Sequence, residues 1–122
     1  MSDKKILLVE DDLELVKLLT IRLEGNGYRV VSAADGKEGF KKAHSEKPDI
    51  LILDLGLPKV DGYWVCEFLK KDPKFSKMRV LVLTARAGED DKKLAEQCGA
   101  DAYMVKPFDA EELLGKIESL CR

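Results

Sequence analysis

Four short apolar runs, each closing on a polar group, constrain this chain more than any other feature. Ile6-Leu7-Leu8-Val9 runs into Glu10-Asp11-Asp12, Ile50-Leu51-Ile52-Leu53 into Asp54, Val80-Leu81-Val82-Leu83 into Thr84, and Tyr103-Met104-Val105 into Lys106. The run at 50–53 lies between Pro48-Asp49 and Gly56-Leu57-Pro58. It is too short for a helix and lacks the alternation of a half-exposed strand, so it reads as a strand buried on both faces. A fifth stretch, Tyr28 to Ala33, is more mixed and is expected at a sheet edge. A charge at the tip of so apolar a strand is tolerable in a polar cleft, in a pair or on a metal. Asp54 therefore needs a chemical reason.

The intervening segments are helical in pattern. Residues 12–25 put Val16, Leu19 and Leu23 on one stripe, widened by Leu15 and Leu18, and end at Gly25. Residues 36–46 start after Asp35-Gly36 and stop before Pro48, with Gly39 weakening the helix. A third helix is predicted from Asp61 to about Lys71, ending at Asp72-Pro73. A fourth covers 89–98, with Leu94, Ala95 and Cys98 inward and Gly99 as its stop. The last opens on Asp109-Ala110-Glu111-Glu112, which has the form of a capping box, and carries Leu113, Leu114, Ile117, Leu120 and Cys121 inward. Strand and helix alternate throughout, the pattern of an α/β fold with a doubly wound parallel sheet and helices on both faces. Residues 1–122 read as a single domain.

Composition narrows the function classes. Of the 122 residues, 45% are apolar and 36% charged, both signs are interspersed, and the net charge is −2, as in a soluble globular protein. No basic stripe suggests a nucleic-acid footprint. No signal-peptide core or membrane-length apolar run is present, so a cytoplasmic location and no membrane partner are expected. Cys66, Cys98 and Cys121 are scattered, with no C-x-x-C spacing, and are expected to be small buried hydrophobes rather than disulfides or zinc ligands. His44 is expected to be a solvated surface histidine.

In parallel sheets ligands bind beyond the carboxyl ends of the strands. If the apolar runs are neighbouring strands, Glu10, Asp11, Asp54, Thr84 and Lys106 meet in one cleft. Like-charged carboxylates at about 4 Å and an effective dielectric near 20 repel by about 4 kcal/mol per pair. A divalent cation relieves that strain, and oxygen-only donors suit Mg²⁺ or Mn²⁺. Beside such an ion Asp54 could attack a phosphoryl donor, with Lys106 supplying positive charge and Thr84 a hydroxyl donor.

Val9-Glu10-Asp11-Asp12, Asp54-Leu55-Gly56-Leu57-Pro58 with Asp61-Gly62, Leu83-Thr84-Ala85, and Gly99 through Phe108 together resemble the signature of the receiver domain of two-component response regulators. The resemblance covers essentially the whole chain in order and spacing. It implies a flavodoxin-like five-stranded sheet of order 2-1-3-4-5. It also implies that Asp54 is the phosphoacceptor, that Asp11 is a direct Mg²⁺ ligand and Glu10 one acting through water, and that the Gly56 backbone carbonyl completes the protein ligands. Lys106 matches the lysine that contacts the phosphoryl group, and Pro107 a proline usually joined through a cis bond. Thr84 and Tyr103 match a switch pair whose movement alters the surface of the fourth helix, fifth strand and last helix. The implied partners are a sensor histidine kinase or phosphotransfer protein and a downstream protein or fused output domain. A phosphorylation-dependent dimer and no direct nucleic-acid contact are also expected.

Two features depart from the common pattern. Gly56 replaces a larger residue and Arg86 lies two positions after Thr84, so this pair is expected to tune the lifetime of the phosphorylated state. Trp64 and Phe68, four apart on the third helix, are either a stacked pair or a docking surface. The rival readings are a haloacid-dehalogenase-like phosphohydrolase, a flavin-binding carrier and a receiver-like scaffold that is never phosphorylated. The first calls for a second aspartate two residues after Asp54, where this chain has Gly56, and the second for a Ser/Thr/Gly-rich phosphate loop after the first strand, where this chain has Glu10-Asp11-Asp12.

Overall fold

The structure is a computed structural model that describes residues 4–55, 61–84, 93 and 95–121. Five parallel strands, β1 (Lys5–Val9), β2 (Arg29–Ala33), β3 (Ile50–Asp54), β4 (Arg79–Thr84) and β5 (Ala102–Val105), lie in the order β2-β1-β3-β4-β5. The helices are α1 (Leu13–Gly25), α2 (Gly36–Glu46), α3 (Asp61–Lys71) and α4 (Ala110–Leu120), with a short 3₁₀ turn at Pro73–Phe75. The helix predicted at 89–98 falls mainly outside the described residues, although Lys93 and residues 95–97 are helical. Gly56 and Arg86 also lie outside them.

Successive residues of a strand point to opposite faces, and the central strands are apolar between their ends, so each supplies two cores at once. Leu7, Val9, Leu51, Leu53, Val80 and Val82 pack with Ala43, Val65 and Leu69 under α2 and α3. Ile6, Leu8, Ile50, Ile52, Leu81 and Leu83 pack with Leu19, Leu23, Leu113 and Ile117 under α1 and α4. Each fully buried leucine or isoleucine contributes about 2 kcal/mol of transfer free energy, so the continuous apolar runs are what hold helices to both faces. β2 lies at one edge, as its mixed composition predicts. β5 lies at the other, and of its four residues only Met104 is buried, so the fourth run is half-covered rather than enclosed.

Local chemistry sets the helix ends. Asp12, Asp35 and Asp109 each cap a helix by accepting from backbone N–H groups of the first turn. At the far end of α2, Lys47 takes a left-handed conformation (φ 48°) that glycine usually supplies. Leu18 does not join the inward stripe of α1 and is 52% exposed. It lies roughly 100° around the helix from Leu19, beyond the width that the sheet covers.

His44 is only partly solvated, with its side chain 36% exposed. Its ring lies 4.7 Å from Phe40 and 5.0 Å edge-on to Phe75, and Nδ1 meets the Phe40 carbonyl oxygen at 3.0 Å. Cys66 and Cys98 are free and buried, as expected, yet they are not far apart. The Cys66 thiol donates to the Cys98 carbonyl at 3.3 Å, joining α3 to the turn that precedes β5. Trp64 stacks on Phe68 at 4.4 Å and on Phe40 at 5.2 Å, so the i,i+4 pair forms, while both rings stay substantially exposed.

Gly39 belongs inside α2 because the helix touches β1 there. A Cβ at this position would stand 2.7 Å from Val9 Cγ2. Replacing glycine by alanine gains about 1 kcal/mol of helix propensity, whereas forcing a methyl against a buried β-branched side chain costs about 1–3 kcal/mol. Gly39→Ala is therefore expected to lower stability by about 1 kcal/mol in urea titrations. Val9→Ala combined with it should cost less than the sum of the two single changes.

Candidate functional site

The carboxyl ends of the strands deliver the polar residues to one edge. Glu10 follows β1, Asp54 ends β3, Thr84 ends β4 and Lys106 follows β5. The strand ladders continue just past these tips. Leu55 N–H donates to the Leu83 carbonyl at 2.8 Å, Lys106 N–H to the Thr84 carbonyl at 2.7 Å, and Glu10 N–H to the Ala33 carbonyl at 3.0 Å. The functional side chains therefore stand on hydrogen-bonded backbone rather than on free loops.

Glu10, Asp11 and Asp54 each bring a carboxylate oxygen within 4.8 Å of the others. Glu10 and Asp54 are almost completely buried and Asp11 is exposed at the mouth. The Lys106 ammonium donates to Glu10 Oε1 at 2.5 Å and to Asp54 Oδ2 at 3.0 Å, so one cation bridges two buried anions. Glu10 Oε2 accepts from the backbone N–H groups of Asp11 (2.9 Å) and Asp12 (3.3 Å), which engages both oxygens of that side chain. The three consecutive acids thus divide. Glu10 points inward, Asp11 lines the opening, and Asp12 turns to cap α1 through Glu14 and Leu15.

The electrostatics follow from this crowding. The Glu10 carboxyl is pushed up to about 7. Burial raises it most, the neighbouring Asp54 carboxylate raises it too, and the Lys106 hydrogen bond and charge pull the other way without cancelling them. Burial alone would lower the pKa of Lys106. Its hydrogen bonds to Glu10 and Asp54, and their charges, outweigh that effect and hold it above the usual lysine value. Lys106 is accordingly a permanent cation, while the proton on Glu10 is exchangeable near neutrality.

Thr84 is buried at the tip of β4, on the same sheet face as Val82. Tyr103 is half-buried, registers with Val82 on β5 and packs on that same core. Threonine and tyrosine therefore sit one pleat apart on neighbouring strands. The Lys106-Pro107 peptide is cis.

Gly62 is a further determinant that its residue type alone did not reveal. A Cβ there would lie 2.7 Å from the Asp54 carbonyl oxygen, so only glycine lets α3 approach the tip of β3 this closely. The pair Asp61-Gly62 at a helix start was the available signal.

Residues 6–118 match the family described as the response regulator receiver domain. The alkaline phosphatase synthesis transcriptional regulatory protein PhoP of Bacillus subtilis is 44% identical over 120 residues, covering 98% of this chain and 49% of that protein. The chain spans about half the length of the curated relatives it matches. Among solved structures, the chemotaxis response regulator CheY4 of Vibrio cholerae superposes with a TM-score of 0.90 at 28% identity, covering 98% of this chain and 99% of that one. The receiver domain of sensor histidine kinase PA1611 of Pseudomonas aeruginosa, solved with a magnesium ion coordinated in its active-site cleft, superposes at 0.87 with 29% identity and 98% of each chain covered. Neither the phosphohydrolase nor the flavin-carrier reading finds support in these likenesses. With the sheet order, the crowded acidic edge and the family match in agreement, the chain belongs to the response regulator receiver domains and is a phosphorylation-dependent signalling switch.

Proposed function

We propose that Asp54 is the phosphoacceptor of this switch and that a sensor histidine kinase or phosphotransfer protein is its donor. The carrying observation is the Lys106 ammonium held between Glu10 and Asp54, at an edge where a third carboxylate, Asp11, converges. An Asp54 oxygen would attack phosphorus. The P–N bond of the donor phosphohistidine would break, an acyl phosphate O–P bond would form, and the released imidazole would take a proton from solvent. Lys106 is already within reach of Asp54 and would shift its hydrogen bonds to the incoming phosphoryl oxygens. The Thr84 hydroxyl would add a donor from the adjacent strand tip, and Tyr103 would turn into the space this movement opens.

The donor set fits a hard divalent cation. It consists of carboxylate oxygens only, two buried and one at the mouth, with no histidine or cysteine among them. Asp11 and Asp54 would hold Mg²⁺ or Mn²⁺ directly, with the Gly56 carbonyl, which lies outside the described residues, as a further ligand. Glu10, with both oxygens already engaged, would act through water. When bound, the ion supplies positive charge that offsets carboxylate repulsion and the charge of the phosphoryl donor.

The same reading makes the protein regulatory rather than a turnover enzyme, although it promotes its own phosphorylation and dephosphorylation. Residues 1–122 would form one receiver domain acting in the cytoplasm. The surface formed by the predicted fourth helix, β5 and α4 would report the phosphorylated state to an output domain or a second copy. PhoP, twice as long as the matched region, is named as a transcriptional regulator. A fused transcriptional output is therefore the favoured downstream partner, with nucleic acid left to that module.

Incubation with Mg²⁺ and acetyl phosphate should add the mass of one phosphoryl group to the intact protein. Asp54→Asn should abolish the addition, and Lys106→Ala should slow it by roughly tenfold or more. An unchanged mass for the parent protein would favour the scaffold alternative. Gly56→Met and Arg86→Ala are each expected to change the dephosphorylation rate by more than about twofold, measured as loss of that added mass.

Glu10 also gives the metal-free protein a pH dependence. Its folded pKa of about 7 lies above the ordinary 4.5, so its contribution to stability is complete below pH 4.5 and is lost as pH rises through 7. In chelator, the thermal midpoint should therefore fall between about pH 5 and 8, and Glu10→Gln should remove most of the fall. Saturating Mg²⁺ should restore the midpoint at the alkaline end, because it binds the ionised cluster.

A further inference from the structure

The α2–α3 side of the molecule carries a second organised surface, separate from the cluster of Glu10, Asp54 and Lys106. Five rings form a chain across it: Phe68, Trp64, Phe40, His44 and Phe75, each within 5.2 Å of the next. This chain joins two hollows. One, of about 310 Å³, is lined by Lys37, Phe40, Lys41 and Trp64 among others. The other, of about 530 Å³, is lined by His44, Lys47, Pro48, Lys74, Phe75 and Lys77 with Met78. Both volumes suit the insertion of one or two side chains or a small ligand.

The charge balance of this surface is one-sided. Three described carboxylates of α2 and α3 already have cations: Glu38 pairs with Lys42, Glu46 with Lys5 and Glu67 with Lys71, while Asp72, at the start of the 3₁₀ turn, faces the His44 ring at 3.7 Å. Lys37, Lys41, Lys47, Lys74 and Lys77 are all exposed, and among the described residues none of their ammonium groups has an ion-pair partner. One of them, Lys47, stands in left-handed backbone where glycine would cost about 1 kcal/mol less. A chain of net charge −2 thus turns a face of surplus positive charge toward solvent, with half-exposed tryptophan and phenylalanine at its centre.

We propose that this groove docks an acidic amphipathic segment of a partner protein. Apolar side chains of the segment would rest on Trp64 and Phe68 and enter the two hollows, while Asp and Glu side chains meet the five lysines. A protein segment is favoured over a polyanion such as nucleic acid because the lysines flank an apolar floor, which rewards a ligand that is both anionic and apolar.

Trp64 is the only tryptophan, so it reports occupancy directly. The 122-residue protein would be titrated with three fluorescein-labelled probes, followed by anisotropy and, with unlabelled probes, by Trp64 emission. The probes are an amphipathic helical peptide with a Glu/Asp face and a Leu/Phe face, the same peptide with Lys replacing its acids, and a single-stranded oligonucleotide. The acidic peptide should bind and shift Trp64 emission, and its affinity should fall at least about tenfold on raising salt from about 50 to 300 mM. Lys41→Glu/Lys47→Glu/Lys74→Glu should weaken it at least about tenfold, and Phe68→Ser should weaken it without altering the salt dependence. Far-UV circular dichroism and phosphoryl uptake from acetyl phosphate should be unchanged in both variants, which keeps misfolding from mimicking the result. No binding of the acidic peptide, equal binding of the basic one, or binding undiminished by charge reversal would overturn the proposal. Tighter binding of the oligonucleotide would overturn it in favour of a nucleic-acid surface.

Discussion

Carboxylates that repel one another, restrained by a single lysine, are the constraint around which this structure is arranged. Glu10 and Asp54 are buried beside each other at the tips of adjacent strands, where unscreened like charge is costly. Lys106 offsets part of that cost, and the raised pKa of Glu10 offsets more by letting it hold a proton. Neither residue could be moved far. The β1 tip is fixed by the ladder to β2 and the β5 tip by the ladder to β4, so the side chains meet because five backbones are in register. The continuous apolar runs that produce the sheet are thus also what sets the distances in the site.

Much of this was legible in the amino-acid sequence, for a definite reason. A strand buried on both faces has no polar position along its length, so the first polar residue after each run marks the sheet edge, as Glu10, Asp54, Thr84 and Lys106 do. The helix caps were equally local. Contacts that depend on two distant segments were not legible. Gly39 looked like a weak point in α2 because its reason, the close approach of Val9, lies on another element. His44 looked solvated because Phe75, which covers it, comes from the turn after α3. Leu18 looked inward because periodicity fixes the direction of a stripe but not how wide a sheet lies beneath it. Which of three adjacent acids would turn inward was likewise decided by α1, whose N-terminus claims Asp12.

Charge is also sorted in a way the composition hides. The interspersed lysines and carboxylates average to −2, yet folding gathers Glu10, Asp11 and Asp54 at the carboxyl edge and leaves Lys37, Lys41, Lys47, Lys74 and Lys77 on the α2–α3 side. No run of sequence contains this basic face, because α2, its C-cap and the turn after α3 each supply part of it. The basic face is therefore a property of the folded chain and of no single segment.

The bond between Lys106 and Glu10 joins residues 96 apart in the chain. Its span couples chemistry to completeness. A nascent or locally frayed chain in which the edge strand β5 has not docked holds its carboxylates without their lysine. Such a chain leaves Glu10 and Asp54 without the cation that bridges them, whatever the state of the other four strands. A contact that spans 96 residues carries the loop-closure cost of the whole chain between them, so the bridged edge is assembled only when β5 is paired with β4.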